Sequence, residues 1–170
     1  MQKRHTVIES PLGELTLAAD GETLTGVYFR NHWHKPTADA LGRYVEPGSD
    51  EVLRDAADQL RAYLAGQRTD FDLPITLVGT EHQQRIWDLL NAIGYGATKT
   101  YGELAAELGD GTTAYAVGQA VGRNPLSIVV PCHRVVGKNG SLTGYAGGLK
   151  RKRFLLDLEE PAPATAGKLF

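Results

Sequence analysis

Two matched helix-start signals in the second half of the chain constrain its fold more than any other feature. Thr80 is followed three residues later by Gln83, and Thr100 by Glu103. In such a pair each side chain can satisfy the other's backbone N–H, which fixes where a helix begins. After the first signal, Ile86, Leu89, Leu90 and Ile93 form one apolar stripe and Gly94 stops it. After the second, Leu104, Ala105 and Leu108 form the buried face of a short helix ended by Gly109, and Thr112 or Thr113 opens another that runs to about Gly122. Two short helices joined by a glycine-containing turn describe either a helix-turn-helix or a plain αα-hairpin.

The first half has a different period. His5, Thr6, Val7 and Ile8, a turn at Pro11-Leu12-Gly13, and then Leu15, Thr16 and Leu17 read as a hairpin. A third strand is expected over 24–29. Residues 31–49, polar with two prolines and two glycines, read as loop. Residues 50–65 carry Leu53, Ala57, Leu60 and Leu64 at helical spacing before Gly66. The predicted class is α+β. Residues 1–79 form a small N-terminal α+β domain with 74–79 as its connector. Residues 80–170 form a C-terminal domain of helix-turn-helix or winged-helix-like type.

A chain of 170 residues suits one domain or two small ones. Its net charge of −2 argues mildly against a nucleic-acid partner, but the distribution is uneven. Residues 1–79 hold eight Lys and Arg against twelve Asp and Glu, and residues 80–170 ten against eight. The run Lys150-Arg151-Lys152-Arg153 reads as a solvated helix face. No apolar run approaches the ~20 residues of a membrane span. The polar start runs straight into a strand pattern without the look of a signal peptide, so the expected address is the cytoplasm. A single cysteine excludes an internal disulfide and leaves one thiol to account for.

That thiol follows the run 126–130, Leu-Ser-Ile-Val-Val, which reads as a buried strand delivering Pro131-Cys132-His133-Arg134 to a fixed place. A free thiol has a pKa of about 8.5 and needs a base or positive surroundings to react at neutral pH. His133 and Arg134 are adjacent, but neighbours in a strand point to opposite faces, so contact requires the chain to turn or a water to bridge. By residue type alone Cys132 is either a nucleophile or a small buried hydrophobe.

The hexapeptide Pro131-Cys132-His133-Arg134-Val135-Val136 resembles the active-site signature of the O6-alkylguanine-DNA alkyltransferase family, the methylated-DNA–protein-cysteine methyltransferases. Asn124-Pro125 before it, Tyr145-Ala146-Gly147-Gly148 and Glu159 after it, and Tyr101 in Lys99-Thr100-Tyr101-Gly102 lie at the family's distances. The likeness is close over 80–159 and looser at Ser10-Pro11-Leu12-Gly13 and Tyr63-Leu64-Ala65-Gly66.

The resemblance implies roles. Cys132 takes the alkyl group and keeps it. His133 is its base through a bridging water, oriented by Glu159, and Asn124 organises the turn around the thiol. Tyr101 gives a proton to the guanine ring. The carbonyls of Cys132 and Val135 read the exocyclic amine, and Tyr145, Ala146, Gly147 and Gly148 wall the pocket. The second helix offers Thr113, Ala114, Tyr115, Ala116, Gly118 and Gln119 to the minor groove, with Arg123 beyond it, and the lesion is flipped out of the duplex. The implied partner is double-stranded DNA carrying O6-alkylguanine. The implied state is a monomer in solution with room for cooperative assembly on DNA, and no cofactor is needed.

One matching position departs. The family has an arginine just before Ala-Val-Gly, which fills the gap left by the flipped nucleotide, whereas this chain has Tyr115. Tyrosine can stack but cannot offer a charged fork, so weaker DNA binding and flipping are expected. Some members hold a structural zinc through cysteines. Here no second cysteine exists, and His32 and His34 read as solvated loop histidines rather than ligands. Two other function classes fit parts of the pattern: a lesion-binding protein without transfer, which would not need Cys132, and a cysteine hydrolase, which would need an oxyanion hole.

Overall fold

The computed structural model describes residues 2–160; residue 1 and residues 161–170, the latter part of the predicted second unit, lie outside the described residues. Alternating apolar residues build a meander of β1 (Lys3–Ile8), β2 (Leu15–Asp20) and β3 (Thr23–Phe29), antiparallel throughout. The turn between β1 and β2 is closed by reciprocal backbone bonds between Ser10 and Gly13, and Gly13 takes φ +93°, a region that suits glycine. Residues 31–49 are not wholly loop. They contain α1 (Ala38–Leu41) and β4 (Arg43–Tyr44), which adds to the sheet parallel to β1 and gives the order β3-β2-β1-β4. Elements this short carry too few residues to show a period.

The amphipathic α2 (Glu51–Leu64) starts at Asp50, whose carboxylate accepts the Leu53 N–H and also pairs with Arg4 of β1. It lays Leu53, Ala57, Leu60 and Leu64 over Leu15, Leu17 and Val27 of the sheet. Both predicted capping boxes are present. They open α3 (Glu81–Asn91), and then α4 (Tyr101–Leu108) directly after the two-residue strand β5 (Lys99–Thr100). The first helix ends at Asn91, before Gly94, whereas α4 does end on Gly109 in the left-handed conformation. Thr113, not Thr112, caps α5 (Ala114–Gly122) through its bond from the Ala116 N–H. A 3-10 turn (Cys132–Arg134), β6 (Val135–Val136) paired in parallel with β5, a second 3-10 turn (Lys138–Gly140) and α6 (Leu149–Glu159) complete the chain. The fold is mixed α+β, and among the described residues no helix is long and apolar enough to cross a membrane.

The two halves share one apolar core, and edge strand β3 is where they meet. The connector bonds beside it, Leu24 N–H to Pro74 O (2.8 Å) and Thr76 N–H to Leu24 O (3.0 Å). Further along, the Val27 N–H bonds to Pro125 O (2.9 Å), so the segment leading to Cys132 is fastened to the same edge.

Candidate active site

Cys132 is not presented by a strand. Residues 126–130 are largely buried, as their composition demands, but the backbone turns repeatedly. Val129 N–H bonds to Ser127 O (2.8 Å) around Ile128 at φ +73°, and Cys132 N–H bonds to Val130 O (2.7 Å) around Pro131. These are two γ-turns, the first of the rare strained kind on a β-branched residue, at a cost of about 1–3 kcal/mol. An apolar run cannot be told from a strand by periodicity when its carbonyls are satisfied by turns. Asn124 holds the turn together. Its Oδ1 accepts the Leu126 N–H (2.9 Å) and its Nδ2 donates to Val130 O (2.9 Å). The 3-10 turn that follows brings Cys132, His133 and Arg134 all into the interior.

His133 is fully buried and its Nε2 lies 2.7 Å from Glu159 Oε2. Burial, with Arg134 and Lys152 nearby, pushes its pKa well below the usual 6.5, so the ring is neutral. A carboxylate only accepts, so Nε2 carries the hydrogen and Nδ1 carries the lone pair. That Nδ1 is buried and has no hydrogen-bond partner among the described residues.

Burial pushes the Glu159 carboxyl up to about 8, with the Gly96 backbone pulling the other way. Against burial stands Arg134, whose Nε and Nη2 bond to the two carboxylate oxygens at 2.7 and 3.0 Å. A bidentate charge-assisted pair of this kind holds the carboxylate ionised at neutral pH. Arg134 is itself fixed by Ile93 O (2.6 Å) and Tyr63 Oη (3.2 Å), which ties the site to α2.

The Cys132 thiol is buried, and burial pushes its pKa up; Asn124, Lys152, its own backbone and Ser127 pull the other way. Lys152 corrects the reading of 150–153 as a solvated face. It is wholly buried, with Nζ donating to Thr143 O (2.8 Å) and Gly144 O (3.2 Å), and its pKa falls to about 8 through burial. Arg151 is also engaged, bonding to Leu12 O, Arg30 O and Gly147 O, each at 3.0 Å, with its guanidinium over the Phe29 ring. Lys152, Leu155 and Glu159 form the buried stripe of α6. Counting back seven residues from Glu159 therefore finds Lys152, a signal the composition of the basic run hides.

Tyr101, at the start of α4, lies against Gly118 of α5, and its hydroxyl is 3.4 Å from Thr143 O, the carbonyl that also receives Lys152. Burial raises its pKa, so it keeps its proton at neutral pH. Val135 N–H bonds to Cys132 O. Tyr145 and Ala146 are buried, Phe29 packs so tightly on Gly147 that an added Cβ would lie 2.3 Å from its ring, and Gly148 is exposed at φ +94°. Along α5, Val117, Ala120 and Val121 face the core while Ala114, Tyr115 and Gln119 are exposed, with Arg123 exposed beyond them. Ala116 and Gly118 are half-buried.

His32 is a second correction. It is buried, not solvated: its ring stacks on Phe29 at 5.7 Å and meets Tyr28 edge-on. His34 is exposed.

Two family models match the chain: the ribonuclease-like domain of 6-O-methylguanine DNA methyltransferase over residues 3–77 and the DNA-binding domain of the same proteins over 81–161. The methylated-DNA–protein-cysteine methyltransferase of Mycobacterium tuberculosis (strain ATCC 25618 / H37Rv) is 47% identical over 161 residues, 94% of each chain. The protein of the same name from Methanosarcina acetivorans is 46% identical, over 91% of this chain and 97% of its own. The crystal structure of Mycobacterium tuberculosis OGT in complex with DNA superimposes with a TM-score of 0.81 at 44% identity, covering 94% of this chain and 96% of that one.

Proposed function

Because the chain belongs to the 6-O-methylguanine DNA methyltransferase family, we propose that it repairs O6-alkylguanine in DNA by moving the alkyl group, once, onto its own Cys132. The observation that carries this reading is the neutral His133, anchored at Nε2 by Glu159, with a buried Nδ1 that has no partner among the described residues, one residue from the thiol. That nitrogen is the group able to accept the thiol proton, through a bridging water, while Glu159 supports the charge the ring gains.

Cys132 loses its proton to the His133 side and its sulfur attacks the alkyl carbon. The bond from that carbon to O6 breaks, and its electron pair stays with guanine. A proton from Tyr101 makes the departing base neutral, and Tyr101 regains one from the pool released at Cys132. The thioether is stable, so each molecule acts once. The Cys132 and Val135 carbonyls read the exocyclic amine, while Tyr145, Ala146, Gly147 and Gly148 wall the base. In this reading residues 1–79 support and residues 80–170 bind DNA and carry the transfer.

The exposed side chains of α5 suit a minor-groove surface, whose degenerate pattern fits a protein that must act at any sequence. Tyr115 stands where the family has its arginine wedge, and it offers stacking without charge. The cytoplasm, which keeps a lone thiol reduced, is the compartment that fits. The test is intact mass after mixing with duplex DNA containing O6-methylguanine. The expected result is a gain of one methylene, mapped to Cys132. No gain, or a gain elsewhere, overturns the reading.

A further inference from the structure

The neutral His32 ring is aimed by a backbone bond. Phe29 N–H donates to its Nδ1 (3.1 Å), so that nitrogen holds no hydrogen. Burial first, then Lys35, Arg151 and His34, push its pKa to about 4, so the ring stays neutral. The hydrogen must therefore sit on Nε2, which faces Ser127 Oγ at 3.5 Å across 95 residues of sequence. Ser127 is fully buried, and with its oxygen accepting from His32 its own hydroxyl hydrogen is left to donate. Ser127 lies in the γ-turn segment five residues before the thiol and is one of the groups bearing on it. The other group near Ser127 is the Tyr145 hydroxyl, buried without a hydrogen-bond partner among the described residues. The buried Nε2–H needs an acceptor, and the Ser127 hydroxyl is the one set before it.

We propose that His32 and Ser127 form a hydrogen-bond relay, separate from His133 and Glu159, that donates to the Cys132 sulfur as it becomes a thiolate. The relay moves no proton. In the relay Nε2–H donates to Oγ and Oγ–H to the forming thiolate, and both hydrogens stay with their owners as the sulfur is alkylated. His32 is a positioning residue acting through Ser127. It also gives the N-terminal half a share in the chemistry of the C-terminal one. Lys152, Tyr101 and Tyr145 are the other titratable groups coupled to the thiol besides the His133 side, and they are unchanged in the variants used below.

The inference rests on Cys132 as the nucleophile, but its primary readout needs no DNA. As the protein has one cysteine, thiolate absorbance near 240 nm, taken as a difference from Cys132→Ser, titrates that thiol alone. Ser127→Ala is expected to raise the thiolate midpoint by about one unit, and to slow single-turnover transfer at neutral pH about tenfold. His32→Ala moves both the same way. His32→Gln, whose amide can accept from Phe29 N–H and donate to Ser127, recovers most of the change. The double variant His32→Ala/Ser127→Ala matches Ser127→Ala alone. An unmoved midpoint in Ser127→Ala overturns the relay, as does an additive double variant. If His32→Ala fails to fold, Ser127→Ala and His32→Gln still decide. A shifted midpoint in a protein that takes no alkyl group from DNA sinks the proposed function and leaves the relay standing.

Discussion

Arg134 grips both oxygens of Glu159 inside the protein, at 2.7 and 3.0 Å, while the same carboxylate holds His133. One anion thus serves two partners, and the arginine keeps it an anion where burial would otherwise neutralise it. Glu159→Gln is expected to slow single-turnover transfer by roughly 10²–10⁴-fold, the usual worth of a supported general base. Arg134→Met should add a pH dependence. With the guanidinium gone, burial raises the carboxyl's pKa unopposed by a paired charge, so transfer at pH 7 falls further below its alkaline rate than in the wild type. Rates between pH 6 and 9 check this, and an Arg134→Met profile parallel to wild type would remove the arginine from the chemistry. Breaking the buried pair should also cost ~3–5 kcal/mol of stability, read by denaturant melts.

Cys132→Ser is expected to abolish transfer and leave affinity for alkylated duplex nearly intact, because the exposed face of α5 is unchanged. Mass and gel-shift measurements on one preparation test both halves. Any transfer by the serine variant contradicts the assignment of the nucleophile.

Lys152 places a buried positive charge by the thiol, and its pKa of about 8 sets the limit of its help. Below that pH it is an ammonium and favours the thiolate; above it the charge is lost. The wild-type rate should therefore climb with pH and flatten above about 8, whereas Lys152→Met should be slower at pH 7 and climb without flattening. Thermal melts alongside separate this from damage to the Thr143–Gly144 carbonyls.

Tyr115 is 76% exposed on α5 and makes no claim on the core. Tyr115→Arg is expected to tighten binding to alkylated duplex and speed repair there, with a smaller gain on free O6-benzylguanine, which needs no flipping. The salt dependence of binding should steepen by about one phosphate contact. Equal effects on duplex and free base would mean that the residue acts on the pocket instead. No effect on either would point to Arg123 as the side chain that holds the duplex open.

What could be read from the sequence was whatever local chemistry determines. The capping boxes at Thr80 and Thr100, the hairpin, α2 and the Cys132–His133 neighbourhood all declare themselves within a few residues. What could not be read depends on partners far along the chain. Lys152 looks solvated until the Thr143 carbonyl is seen to receive it. His32 looks like a loop histidine until Ser127 is found 95 residues away. Residues 126–130 look like a strand because burial and extension leave the same apolar mark, and only the Asn124 bonds show the chain folding back. The two residues of β4 have no pattern to show.

The fastening of β3 also bears on how the chain survives its own synthesis. Thr23–Phe29 is an apolar edge strand, and an open edge of that kind invites pairing with other chains. The opposite edge is β4, only two residues long and begun by an arginine, a poor template. The Pro125 carbonyl engages β3 only after the polypeptide has been made well past the sheet, so a nascent or truncated chain ending near residue 80 carries part of a sticky border uncovered. The segment that leads to Cys132 is what seals it, and any substitution that loosens 124–132 exposes the protein to self-association as well as to loss of repair.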